Sequence, residues 1–153
     1  MKSSKSVFLL FILFSLFTSL TVAQEISKVK SSNGIEWQPF TVDEAIEKAS
    51  ERNKDILLYF YSDECEACED VSETVFTDHE LAEAINHYIP LKIDGESSLG
   101  EELGSTYDLI AYPSFIFIDS RGDVFGKIIG HIEWSRKDNL LLSLIKDPIA
   151  AGK

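Results

Sequence analysis

Ile56-Leu-Leu-Tyr-Phe-Tyr-Ser-Asp-Glu-Cys-Glu-Ala-Cys68 is the stretch from which the fold of this chain is read. Ile56 to Tyr61 runs without a strongly polar residue. Such a run suits the buried centre of a sheet covered on both faces. Cys65 and Cys68 follow closely, and they are the only 2 cysteines in the chain. A strand that hands Cys-x-x-Cys to the first turn of a helix is the arrangement disulfide exchange needs. The helix N-terminus carries unpaired N–H groups and a partial positive charge, which stabilise a thiolate on the first cysteine. Cys68 lies one turn later, close enough to close a disulfide with Cys65.

Working back from this stretch, Thr41-Val-Asp-Glu44 spells a capping box. Ala45, Ile46 and Ala49 continue it as one apolar stripe, so a helix is expected over 42–52. Asn53-Lys-Asp55 turns the chain into the strand. Ile35-Glu-Trp37 reads as a short edge strand. Working forward, a helix is expected from about Cys65 to Thr74, with Val71 facing inward. Asp78 caps a second helix that aligns Leu81, Ala84 and Ile85. Ile89–Asp94 reads as a strand with Pro90 at its beginning. Ser97 to Tyr107 reads as a helix with Leu99, Leu103 and Tyr107 on one stripe. Ser114–Asp119 and Val124–Ile129 form an antiparallel hairpin across Ser120-Arg-Gly-Asp123. Gly130 ends it, and Ser135 caps a last helix carrying Leu140, Leu141, Leu144 and Ile145. This order gives an α/β protein with a central mixed β-sheet flanked by helices on both faces. No internal repeat or domain linker interrupts it.

The N-terminus reads as an export signal. Lys2 and Lys5 precede the apolar core Val7–Phe17, and Thr21-Val-Ala23 offers a cleavage site before Gln24. The alternative is an uncleaved N-terminal membrane anchor, although a bilayer span takes about 20 apolar residues. The division expected is therefore 1–23 signal peptide, 24–34 flexible leader and 35–153 a single domain. Loss of Lys2 and Lys5 leaves 12 basic residues against 26 acidic ones, so the formal charge goes from −12 to −14. That sign argues against nucleic acid and anionic membrane surfaces as partners. A bridge between neighbours three apart in sequence closes almost no loop, so the cysteines are chemical rather than a structural staple.

Taken together these residues resemble the thioredoxin superfamily, and most of all its exported bacterial thiol–disulfide interchange proteins. The resemblance rests on the strand Ile56–Tyr61, Cys65-Glu-Ala-Cys68, the strand end Lys92-Ile-Asp94, Tyr112-Pro-Ser114 with Phe115–Asp119, and the closing turn with Gly130. It covers about residues 35–146. It implies a thioredoxin-like fold and a cis peptide bond before Pro113, which would face the cysteines. It implies that the backbone of Tyr112 pairs with a bound substrate chain. The sequence departs from the family's pattern twice. Glu64 stands where Trp is usual, and Tyr59 stands where thioredoxins proper carry a buried Asp that assists proton removal.

The activity expected is thiol–disulfide exchange outside the cytoplasm, in the periplasm or otherwise exported. Cys65 is the nucleophile and Cys68 the resolving cysteine. Asp63, Glu64, Glu66, Glu69 and Asp70 crowd the pair and disfavour a thiolate, so the expected direction is reduction of protein disulfides. The partners implied are exported proteins bearing disulfides, with a membrane thiol reductase as electron donor. The chain is expected to be a monomer and to need no cofactor. Two alternatives stand beside this reading: a metal-binding carrier, and a redox-inactive thioredoxin-fold binding module. Two thiolates are half of a closed four-ligand metal site, and His79, His87 and His131 lie far along the chain, so no metal ligands are assigned. Glu69 after Cys68 excludes covalent haem attachment. Tyr59, Phe60, Phe115 and Phe117 are expected in the core, and Tyr61 and Tyr112 beside the site.

Overall fold

A computed structural model describes residues 34–130 and 140–147. Its elements, in chain order, are α1 (Val42–Arg52), β1 (Ile56–Tyr61), α2 (Glu66–Asp70), α3 (His79–Asn86), β2 (Ile89–Asp94), α4 (Ser98–Thr106), β3 (Ser114–Ile118), β4 (Val124–Ile129) and α5 (Leu140–Lys146). The strands form one sheet in the order β2-β1-β3-β4. β1 pairs in parallel with β2, while β1–β3 and β3–β4 are antiparallel. The sheet is therefore mixed, and β1 lies inside it.

The continuous apolar run of β1 is explained by what covers each face. Leu57 and Tyr59 point into a cluster with Val71, Leu81, Ile85 and Ile145. Ile56, Leu58 and Phe60 point the other way, into a cluster with Ala45 and Ala49 of α1 and the flank of Leu103. Both faces are buried, so neither alternate position tolerates a polar side chain. Each large apolar side chain fully buried here contributes about 1.5–3 kcal/mol. The expected core aromatics Tyr59, Phe60, Phe115 and Phe117 are all fully buried.

The helix starts follow the sequence closely. Thr41 Oγ1 accepts from the Glu44 N–H at 3.2 Å, and Glu44 Oε2 accepts from the Thr41 N–H at 2.8 Å, closing the capping box. Asn53 ends α1 in the left-handed region at φ 48°. Asp78 Oδ1 accepts from the Leu81 N–H at 3.0 Å and so caps α3.

Three expectations are corrected. Ile35–Trp37 is not a strand. Ile35 is buried, but the Asn86 side chain accepts from the Glu36 N–H and donates to the Gly34 carbonyl, so side-chain bonds replace a ladder. Leu99 is 54% exposed, so it does not share a buried stripe with Leu103 and Tyr107. The inward position is Gly100: a β-carbon there would run into the Asp94 carbonyl and lie 2.8 Å from the Gly95 Cα. The close approach of α4 to the end of β2 thus rotates Leu99 outward. Finally, the helix after Cys65 does not continue as α to Thr74. It changes after Asp70 into a π-helical segment, Val71–Val75, and Val71 is buried as expected. Residues 1–33, on which the expected signal and most of the expected leader fall, lie outside the described residues, as do His131 and Ser135.

Candidate active site

Cys65 and Cys68 meet at the start of α2. Cys65 is the N-cap, with extended backbone at φ −97° and ψ 101°. Its Sγ accepts from the Cys68 N–H at 3.1 Å, and its carbonyl accepts from the N–H groups of Cys68 at 2.9 Å and Glu69 at 3.1 Å. The two residues are joined in a disulfide across a Cα–Cα distance of 5.2 Å. Their environments differ. Cys65 is half-buried, whereas Cys68 is only 3% exposed. An N–H aimed at sulfur favours the thiolate form of Cys65, and burial disfavours that of Cys68.

The loop that delivers Cys65 is wound around Ser62. Ser62 Oγ donates to Glu96 Oε1 at 2.6 Å and accepts from the Glu64 N–H at 3.2 Å. The Ser62 carbonyl accepts from the Cys65 N–H at 3.3 Å. Glu96 lies just beyond β2, so this pair ties two loops together. A third loop joins them. The Tyr112–Pro113 bond is cis. Ser114 pairs with Phe60, which puts Pro113 level with Tyr61 at the cysteine end of the sheet. The Tyr112 hydroxyl donates to the Gly95 carbonyl at 3.0 Å, and its ring occupies the space a side chain on Gly95 would need. Glycine at 95 is what lets this ring lie down. The ring packs against the same buried cluster as Leu103, Tyr107 and Leu109, on the face opposite the α2 layer.

An open hollow of about 270 Å³ lies beside the disulfide. Tyr61, Ser62 and Asp63 line it from β1 and its loop; Cys65, Cys68, Glu69 and Ser72 from the helical side; and Lys92 from β2. Tyr61 is thus beside the cysteines as expected, while Tyr112 and Pro113 are not part of this hollow. Tyr59 is fully buried and does not line it. Its hydroxyl is directed at the Cys68 carbonyl at 3.5 Å. Burial pushes its pKa up to about 12, against a lowering pull from its hydrogen bond with Ser72. Burial also raises Tyr61, helped by Asp94 and Asp63. The five carboxylates around the pair are all exposed. His79 opens α3 and His87 caps its end, and neither lines the hollow. Among the described residues, no group of three or more His, Cys, Asp or Glu side chains is placed to hold a metal ion.

Ser62, Ser72, Glu96 and Lys92 were not legible as site residues. Lys92 left a faint sign: it is a charge inside the otherwise largely apolar run Ile89–Ile93. Ser62 left none, because a serine after a strand is ordinary.

This strand, cysteine pair and cis-proline loop place the chain in a known class: it belongs to the thioredoxin-like family, whose model matches residues 36–120. Similar proteins include the thiol:disulfide interchange protein DsbD of Colwellia psychrerythraea, 27% identical over 89 residues, which are 56% of this chain and 15% of that protein. DsbD 1 of Pseudomonas aeruginosa is 29% identical over 106 residues, 64% of this chain and 18% of that protein. The chain therefore spans less than a fifth of the length of these relatives. Among solved structures, a candidate disulphide isomerase of Bacteroides thetaiotaomicron superposes with a TM-score of 0.66 at 28% identity, covering 80% of this chain and 99% of that one. The oxidised C-terminal domain of Neisseria meningitidis DsbD gives 0.58 at 18% identity, covering 70% and 92%, a likeness of fold. The fold is thioredoxin-like, as the sequence led us to expect.

Proposed function

We propose that this chain is a thiol–disulfide oxidoreductase that reduces protein disulfides outside the cytoplasm. The observation that carries the reading is the asymmetry of the pair. Cys65 is accessible and has an N–H directed at its sulfur, while Cys68 is buried one turn behind it. In the reduced protein the Cys65 thiolate attacks a substrate disulfide and expels one substrate thiolate. The Cys68 thiol then loses its proton to solvent and attacks the Cys65 sulfur. The Cys65–Cys68 disulfide forms, the second substrate thiolate leaves, and the substrate has gained two electrons.

Tyr112 and Pro113 bind the substrate chain in this reading. The Tyr112 hydroxyl is taken by Gly95, so what the residue offers a partner is its backbone. Exposed carboxylates at Asp63, Glu64, Glu66, Glu69 and Asp70 support the reducing direction, because they disfavour the thiolate that strong oxidants stabilise. Residues 1–23 act as an export signal, and a membrane thiol reductase re-reduces the pair. The naming of the DsbD relatives as thiol:disulfide interchange proteins supports the exchange chemistry.

The test is the reduction potential of the pair, equilibrated in glutathione or dithiothreitol buffers. The expected value is nearer thioredoxin's, about −270 mV, than the strong oxidants', about −120 mV. A value at the oxidising end overturns the direction. Cys65→Ser abolishes disulfide reduction, and Cys68→Ser accumulates mixed disulfides on non-reducing gels. Activity surviving both substitutions overturns the oxidoreductase reading in favour of a binding module. Loss of co-purified metal from both variants favours a metal carrier.

A further inference from the structure

Lys92 is the feature of the site that the mechanism above leaves unused. It sits on β2, an edge strand among the described residues, paired in register with Tyr59, so it shares the sheet face that carries the cysteines' helix. Its ammonium lies 4.1 Å from the centroid of the Tyr61 ring. Among the described residues it is the only basic side chain lining the hollow onto which Cys68 opens. None of the ion pairs among those residues includes it. With many exposed carboxylates on the surface, an ammonium seated on an aromatic face rather than on an acid is held by geometry.

The other charged and titratable groups facing Cys68 are few. Tyr61 of β1, Asp63 of its loop and Glu69 of α2 line the hollow with it, Tyr59 of β1 aims its hydroxyl at the Cys68 carbonyl, and Asp94 acts on Tyr61 from beyond Lys92 on β2. Tyr59 stays neutral through the physiological range because burial pushes it up to about 12. The carboxylates carry the sign that opposes a thiolate. The resolving step nevertheless requires a thiolate at the more buried of the two cysteines.

We propose that Lys92, seated on the Tyr61 ring, is the positioning charge that lets Cys68 ionise and attack the mixed disulfide. It acts through the field in the hollow, in place of a buried carboxylate base; the proton of Cys68 leaves to water and no bond to Lys92 forms. The proposal rests on the oxidoreductase reading for its purpose, while its test reads the thiol directly.

The experiment uses the full mature chain carrying Cys65→Ser, so that Cys68 is the single thiol. Its ionisation is followed by the pH dependence of alkylation with iodoacetamide and by thiolate ultraviolet absorbance. Lys92→Gln is expected to raise the Cys68 pKa by about half to one pH unit, and Lys92→Arg to restore it. With both cysteines present, Lys92→Gln is expected to slow release of the mixed disulfide about three- to tenfold near neutral pH, with the pH profile displaced upward by the same amount. A Cys68 titration unchanged by Lys92→Gln overturns the proposal, as does an equal shift in Lys92→Arg, which would make the effect one of packing. If Lys92 shifts Cys68 while the parent protein reduces no disulfide, the field effect stands and the oxidoreductase reading falls.

Discussion

Two glycines of α4 test whether the packing described here sets stability. Gly100 and Gly104 lie one turn apart in the same helix and are both buried. Helix propensity alone says that alanine at either position should stabilise by up to about 1 kcal/mol. Their surroundings differ. A β-carbon at Gly100 meets the Asp94 carbonyl and the Gly95 Cα, which are backbone and cannot rotate away. A β-carbon at Gly104 meets nothing within 4 Å. Forcing a methyl group against packed neighbours costs about 1–3 kcal/mol, and an obstacle made of backbone puts Gly100 at the upper end. Less the propensity gain, Gly100→Ala is expected to lose about 1–2 kcal/mol. Gly104→Ala is expected to gain about 0.5–1 kcal/mol. At about 4 °C per kcal/mol for a domain of this size, the melting points move in opposite directions, by about 4–8 °C down and about 2–4 °C up. Urea unfolding followed by tryptophan fluorescence and circular dichroism measures both. The reasoning fails if both variants shift in the same direction.

Two pH effects follow from named groups. The Thr41 backbone N–H, and then its hydroxyl, hold the Glu44 carboxyl below its ordinary 4.5. A lowered folded-state pKa stabilises above the unfolded value and is lost as pH falls through the folded one. Glu44→Gln is therefore expected to be less stable than the parent at neutral pH, with the gap closing as pH drops below 4.5 in urea titrations. Burial pushes Tyr59 and Tyr88 up to about 12, from an ordinary 10.0. A raised value works the other way: the stability is complete below 10.0 and is lost as pH climbs toward 12. Phenolate absorbance should show both rings ionising late and together with unfolding, and Tyr59→Phe and Tyr88→Phe should each remove one such step; early ionisation of either ring would contradict its burial.

How far the sequence could be read depended on the range of the interaction involved. Thr41 with Glu44, Asp78 with Leu81, and the run Ile56–Tyr61 are local signals, and each marked its element correctly. Cys65, Cys68 and Pro113 carried enough local chemistry to be singled out. What stayed hidden was contact between distant segments. Nothing near Ser62 announces Glu96, which is 34 residues away. Nothing near Gly95 announces the ring of Tyr112, 17 residues on. Leu99 misled for the same reason, since the helical stripe gave no hint that Gly100 would meet Asp94. Ile35–Trp37 read as a strand because apolar alternation is blind to an asparagine from α3 taking the backbone groups.

The position of β2 has a consequence for how this chain behaves at high concentration. Among the described residues it has a neighbour on one side only, and a free strand edge is a template on which a second copy can extend the sheet. The edge here is broken at its start. The Pro90 carbonyl already accepts from the Gln38 N–H at 2.8 Å, and proline brings no N–H of its own on that side. Two residues on, the exposed ammonium of Lys92 would have to be stripped of water by any strand laid across it. Strand-by-strand self-assembly is thereby opposed along β2.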